Sequence, residues 1–191
     1  MLVAAGAIVA PSLHIVSDLM ELAQGFSATQ LVLNYLAFVA MPFIVMGLHV
    51  IQAPRGGALS LVGALSYGAS FIYFAGTTTY ALVRKTPDYD SLLAELGPLY
   101  TIHGALMVAG GVMFGVSVVR TRVLPAWTGV TLVLGVIVNL LLVLGAFPPI
   151  AQIGGSLIRN VALVGMGVSL IHKKVPKLRS FAREYPTVDG P

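Results

Sequence analysis

His14, Asp18 and Glu21 stand at positions i, i+4 and i+7 of an otherwise apolar stretch. On a helix this spacing places an imidazole and two carboxyls on one face. Only one further charge, Arg159, falls inside the long apolar segments, and Asn160 follows it directly. His103, with Tyr100 one turn before it, adds a second imidazole. Two carboxyls, two imidazoles, an arginine and several phenols in a low-dielectric setting form an acid–base set. Unequal burial and an adjacent guanidinium can hold two carboxyls in different protonation states, so that one donates a proton and the other accepts it. Asp18, Glu21, His14 and His103 are the candidate catalytic residues.

Other segments supply groups that can bind rather than react. Ser66, Ser70, Tyr73, Thr77 and Tyr80 repeat at i, i+4, i+7, i+11 and i+14, a helical stripe. Together with Asn34, Tyr100, Asn139, Arg159 and Asn160, the residues Tyr73, Thr77 and Tyr80 form the candidate ligand-binding set. Phe38, Phe71 and Phe74 offer apolar walls and π-faces able to steady a carbocation. His14, Asp18, Glu21 and His103 are metal-ligand types, yet no His-x-x-x-His or Glu-x-x-His pair fixes a coordination geometry. A haem would need His14 with His103 or His49 with His172, four imidazoles on four different helices. No metal and no cofactor are expected. A simpler reading of Asp18 or Glu21 is an ion pair with Arg159 that fastens the first helix to the last.

The elements that must position these groups follow from composition. The chain has 191 residues, 57% hydrophobic and 9% charged, against about 25% charged residues in soluble domains. So few charges exclude a water-soluble globule. The net charge of +4 does not point to nucleic acid, because five of the eleven Lys and Arg residues lie between Lys173 and Arg183, directly after the last apolar run. With no cysteine, disulfides, thiolate metal sites and cysteine nucleophiles are excluded. Met1 to Ala10 lacks the basic start of a secretory signal and reads as the beginning of a retained helix.

Charge-free intervals at 22–54, 56–83, 96–119 and 123–158 are long enough for spans of roughly 20 residues. They predict an all-α polytopic membrane protein, a single bundle of six transmembrane helices at 3–24, 30–52, 58–82, 98–119, 126–146 and 154–172. The domain organisation expected is a bundle over 1–172 and a basic cytoplasmic tail over 173–191. With that tail inside, Arg55, Arg120 and Arg122 fall in cytoplasmic turns and both termini are cytoplasmic, while 83–97 becomes an outer turn. Asp18 and Arg159 then lie at one depth, about 8–9 Å below the outer boundary. The polar residues gather in the outer half, and the inner half is almost purely apolar apart from His49 and His172 near the interface. Ala64-x-x-x-Gly68 and Gly111-x-x-x-Gly115 mark close helix packing, and Pro11 and Pro42 predict kinks.

In residue type the arrangement resembles membrane-embedded sterol isomerases and terpene cyclases, whose helix bundles also carry acids and histidines. From His103 onward, Gly111-Val112-Met113-Phe114-Gly115, Val123-Leu124-Pro125 and Gly129 look like the rhythm of uncharacterised bacterial six-helix integral membrane proteins, a resemblance over about half the chain that implies a fold and no activity. The expectation is a plasma or bacterial inner membrane protein whose outer-half pocket binds a small lipophilic molecule and isomerises or cyclises it. The alternatives are a non-catalytic subunit of a larger membrane complex and a proton-coupled carrier. Expected partners are membrane lipid, the lipophilic ligand, and a complex partner or second copy, with no nucleic acid.

Overall fold

The apolar intervals become helices that begin and end where the turn chemistry says they should. The computed structural model describes residues 1–145 and 147–172, so the predicted tail at 173–191 lies outside the described residues. Among them the fold is all-helical: α1 (Leu2–Gln24), α2 (Ala28–Arg84), α3 (Tyr89–Leu96), α4 (Pro98–Thr121), α5 (Ala126–Leu144) and α6 (Pro149–His172). Gly25 ends α1 at φ 70°, and Ser27 caps α2 by accepting from the Gln30 amide. Pro98 opens α4, where its missing N–H has no partner to lose. Five of the six helices are long and apolar enough to cross a membrane, with mean hydropathy between 1.4 and 2.3 over their most apolar stretches.

The segments predicted at 30–52 and 58–82 are joined in α2. A straight helix of 57 residues would extend about 85 Å, with residues 38 and 74 roughly 54 Å apart. Instead the Phe38 ring centre lies 5.7 Å from that of Phe74, and His49 Nδ1 lies 2.8 Å from Ser60 Oγ. The chain reverses at Gly57, whose φ of 53° and ψ of −157° belong to a region open essentially to glycine alone. Two antiparallel arms, 28–56 and 58–84, result. Pro42 and Pro54 lie within α2 at helical dihedrals, so the departure from helical geometry comes at the glycine rather than at the predicted proline kink.

The stretch read from sequence as an outer turn at 83–97 holds a helix, α3, and that reading is corrected. Asp88 caps it by accepting from the Ser91 amide at 2.8 Å. Its Leu92 packs inward with Leu31 and Ala81. A charge-based ruler misses an eight-residue helix carrying Asp90 and Glu95 because it searches for membrane-length intervals.

The helices close into a ring. α1 packs on the first arm of α2, the second arm on α4, α4 on α5, α5 on α6 and α6 back on α1. A Cβ added to Gly63 would stand 2.5 Å from the Phe114 backbone nitrogen, and Gly115 and Gly129 meet backbone to backbone. Such approaches suit helices that associate without a hydrophobic drive between them. Tyr67, Phe71, Phe114, Met41, Leu132 and Met166 fill the interior, while Phe43, Ile72, Leu134 and Leu141 stand on the outer face. An apolar exterior of this kind marks a surface that meets something other than water.

Candidate functional site

At the α3 end of the bundle the helices splay around a cavity of about 460 Å³, within the range of small-molecule sites. Its walls are apolar: Leu31, Phe38, Phe74, Val108, Leu140 and Ile153, with Leu92 and Leu93 of α3 forming the roof. Its charged lining residues are Asp18, Glu21 and Arg159. Asp18 and Arg159 are both largely buried, while Glu21, one turn nearer the mouth, is half-buried.

α1 presents His14, Asp18 and Glu21 on one face, as their spacing requires. His14 Nε2 lies 3.4 Å from Asp18 Oδ1. On its other side His14 Nδ1 lies 3.1 Å from the Asn160 amide nitrogen. With that amide donating, Nδ1 accepts, and the imidazole proton is on Nε2, facing the carboxylate. Phe38 packs edge-on against the same ring at 4.7 Å, fixing its plane. The second oxygen of Asp18 accepts from Ser156 Oγ at 2.6 Å. Glu21 is held differently: Gln30 Nε2 donates to its Oε2 at 3.2 Å and to Ser17 Oγ at 3.1 Å. The two carboxyls therefore have separate tethers, Asp18 to α6 and Glu21 to α2.

The expected direct pair between a carboxylate and Arg159 does not form. Among the described residues, the one carboxylate contact within ion-pair range is that of His14 with Asp18. Arg159 Nη2 reaches Ser156 Oγ at 3.4 Å, so the serine hydroxyl links arginine to aspartate. Its Nη1 meets the Met107 thioether at 2.8 Å, and its carbon sits 5.8 Å from the Phe71 ring centre. Arg159 Nε has no hydrogen-bond partner. The guanidinium is thus buried on soft, weak acceptors, an arrangement that costs free energy unless something else completes it.

The structure gathers His14, Asp18, Glu21, Asn34, Thr77, Tyr100, Asn139 and Arg159 around one space. Asn160 lies behind the lining, fully buried, and acts on His14. Tyr73 and His103 are not in the lining. Their rings stack at 4.3 Å with Tyr73 half-exposed on the outer face, and His103 also meets Phe74 edge-on. Tyr80 packs with Leu31, Ala81 and Leu92 at the base of α3. Thr77 spends its hydroxyl on the Phe74 carbonyl at 2.9 Å, as Ser70 does on Tyr67 at 2.7 Å, the ordinary fate of a hydroxyl on an apolar helix.

Sequence reasoning missed Ser156, Gln152, Gln30 and Tyr89. Gln152, Ser156, Arg159 and Asn160 lie at i, i+4, i+7 and i+8, a polar face as regular as that of α1 and legible by the same rule. Tyr89 was hidden because its segment read as a turn. Its hydroxyl meets the Tyr100 hydroxyl and, at 3.4 Å, the amide oxygen Oε1 of Gln152, tying the roof to α4 and α6. Burial, then the adjacent Tyr100, push the Tyr89 phenol well above its ordinary range, so it keeps its proton.

The expectation that the opposite end is apolar is also corrected. There Gln52, Ser60, Ser117 and Thr121 are buried beside His49, with Thr121 Oγ1 donating to Gln52 Oε1 at 3.1 Å. No group of three or more metal-ligating side chains occurs among the described residues. Comparison with protein-family models, with curated proteins and with solved structures finds no match to this chain.

Proposed function

We propose that this chain is an integral protein of the plasma or bacterial inner membrane. Counting the arms of α2 separately, it crosses the bilayer six times, with both termini cytoplasmic. The basic turns at Arg55 and at Arg120 and Arg122 all fall at the Gly57 end, as the bias of Lys and Arg towards the cytoplasm requires. Reporter fusions within 86–94 and after residue 174 are expected to report opposite sides; the same side for both overturns the topology.

The cavity at the α3 end is read as the binding site for a small lipophilic molecule, and acid–base conversion of that molecule, an isomerisation or cyclisation, as its activity. The observation that carries this reading is the pairing of apolar walls with a floor of Asp18, His14 and an incompletely satisfied Arg159. Apolar walls with a few converging polar groups are the usual make-up of a small-molecule site. His14 orients on Asp18, so a proton taken by the carboxylate has an imidazole beside it, and Glu21 supplies a second, separately tethered carboxyl nearer the mouth.

One observation favours a second reading, a non-catalytic subunit of a larger complex. The Asp18–Ser156–Arg159 and His14–Asn160 contacts all join α1 to α6, which is also what closing the ring requires. Asp18→Asn and Glu21→Gln separate the two. Both variants are expected to fold, judged by monodispersity and thermal unfolding in detergent, and to alter the lipid and terpenoid profile of cells that express them. Folded variants with an unchanged profile remove the enzyme reading and leave the subunit.

A further inference from the structure

Arg159 is the least satisfied charged group in the cavity. It is only 5% exposed, and its Nε–H has no acceptor, while its other nitrogens reach a thioether and a hydroxyl already engaged with Asp18. Unlike an amide, a guanidinium carries no ambiguity of orientation, since every one of its hydrogens is a donor. What the floor lacks is therefore an acceptor. A water molecule can supply one, but in a cavity with mainly apolar walls a ligand oxygen that arrives with an apolar body satisfies the donor and fills the space together.

The charge of that acceptor follows from the other lining groups. Two carboxyls, Asp18 and Glu21, face this space against one guanidinium, and Asp18 is coupled to Arg159 through the shared Ser156 hydroxyl. An anionic head would compete with Asp18 for a single cation in a poorly hydrated place. A neutral carbonyl accepts a charge-assisted hydrogen bond without that competition. Resting on the reading of the cavity as a binding site, we propose that its ligand is a lipophilic carbonyl compound, a ketone, aldehyde or ester, bound with its carbonyl oxygen on the Arg159 guanidinium, whose Nη donors otherwise reach only the Met107 thioether and the shared Ser156 hydroxyl, and with its apolar body against Phe38, Phe74 and the α3 roof.

The test uses the full chain in nanodiscs of ether-linked phospholipid, which contribute no carbonyl of their own. Four probes of matched length are titrated: methyl undecyl ketone labelled with a heavy isotope at the carbonyl carbon, methyl laurate, lauric acid and dodecane. The ketone and the ester are expected to bind about tenfold or more tighter than dodecane, as befits a hydrogen bond to a charged donor, and tighter than lauric acid. The labelled carbonyl stretch is expected to move to lower frequency on binding and to lose that shift in Arg159→Met. Should that variant not fold, the ranking of the four probes on the wild-type chain still decides.

Equal binding of ketone and dodecane overturns the carbonyl inference while leaving a lipophilic site in place. Tightest binding by lauric acid overturns neutrality in favour of an anion. No binding by any probe removes the cavity reading and the inference with it. A repeat in ester-linked nanodiscs identifies the source: weakened ketone binding there assigns the carbonyl to membrane lipid, and unchanged binding to a free molecule.

Discussion

The two ends of this bundle both bury polar side chains, and only one end arranges them around a cavity. At the Gly57 end His49 bonds Ser60 across the hairpin and Thr121 bonds Gln52 across to α4. A Cβ on Gly56 would press within 2.6 Å of Ser60, so these groups are packed against one another. None of them lines the 460 Å³ cavity. At the α3 end the same kinds of side chain, together with Asp18, Glu21 and Arg159, surround open space. Polarity within apolar helices therefore does not by itself mark function. Charge does so more strongly than hydroxyl or amide content, because neutral groups are satisfied by a neighbour or their own helix whereas a buried charge requires a designed environment.

The contrast in packing can be broken most sharply at two glycines. Gly63 lies where α2 and α4 touch backbone to backbone, while a Cβ on Gly104, in the cavity lining, meets nothing within 4 Å. Gly63→Ala is expected to lower stability by about 3 kcal/mol, since the intruding methyl meets main chain that cannot rotate away. Gly104→Ala, gaining helix propensity in free space, is expected to leave stability unchanged or raise it by about 0.5–1 kcal/mol. Thermal unfolding in a single detergent checks the pair, and equal loss in both would mean that the α3 end is as tightly packed as the interface.

The contrast in chemistry is sharpened by one polar deletion at each end. Ser156→Ala removes the hydroxyl that joins Asp18 to Arg159 and leaves two buried charges with poorer partners. A loss of about 2 kcal/mol is expected. Gln52→Leu removes a buried amide whose Nε2 already lacks a partner, and Thr121 keeps the Val118 carbonyl at 3.4 Å. Its cost is expected to stay below about 1 kcal/mol, with ligand binding at the opposite end untouched. A Gln52→Leu variant less stable than Ser156→Ala would reverse the ranking of neutral and charged polar groups.

How far each end was legible in the sequence follows the same division. Long, nearly charge-free apolar runs locate α1, α4, α5 and α6 and both arms of α2 to within about five residues, because apolar helices of this length need apolar runs to match. The spacing of His14, Asp18 and Glu21 puts them on one face, and Arg159 announces itself as the lone cation of its segment. Partner choice was not legible. Spacing fixes the face of a helix, whereas the pairing of Asp18 with Ser156 rather than Arg159 depends on rotation and distance between α1 and α6. Tyr73 lies outside the lining for a related reason: the stripe from Ser66 to Tyr80 is shared between the cavity, where Thr77 lies, and the outer surface, where Tyr73 stacks on His103. The reversal at Gly57 was placed correctly as a turn, though no residue count reveals that helical hydrogen bonding runs almost through it.

The smallest effect expected concerns the roof, the element that separates the two ends most plainly because the Gly57 end has no counterpart among the described residues. α3 packs only lightly on α4, so its integrity leans on local terms such as the Asp88 cap. Hydrogen bonds from Ser91 hold the Asp88 carboxyl below its ordinary range. A carboxyl lowered in the folded state stabilises that state above its unfolded pKa, near 3.9, and ceases to do so as pH falls through the lower folded value. The cap is thus fully formed at neutral pH and is lost only in acid, below about pH 4. Hydrogen exchange at the Ser91 amide, corrected for its intrinsic pH dependence, is expected to show protection that falls across that acid range in the wild-type chain. In Asp88→Asn, whose amide oxygen still accepts but does not titrate, protection is expected to be weaker and independent of pH. Wild-type protection that stays constant through the acid range would mean that α3 is held by its Leu92 contacts and its tie from Tyr89 to Tyr100 rather than by its cap.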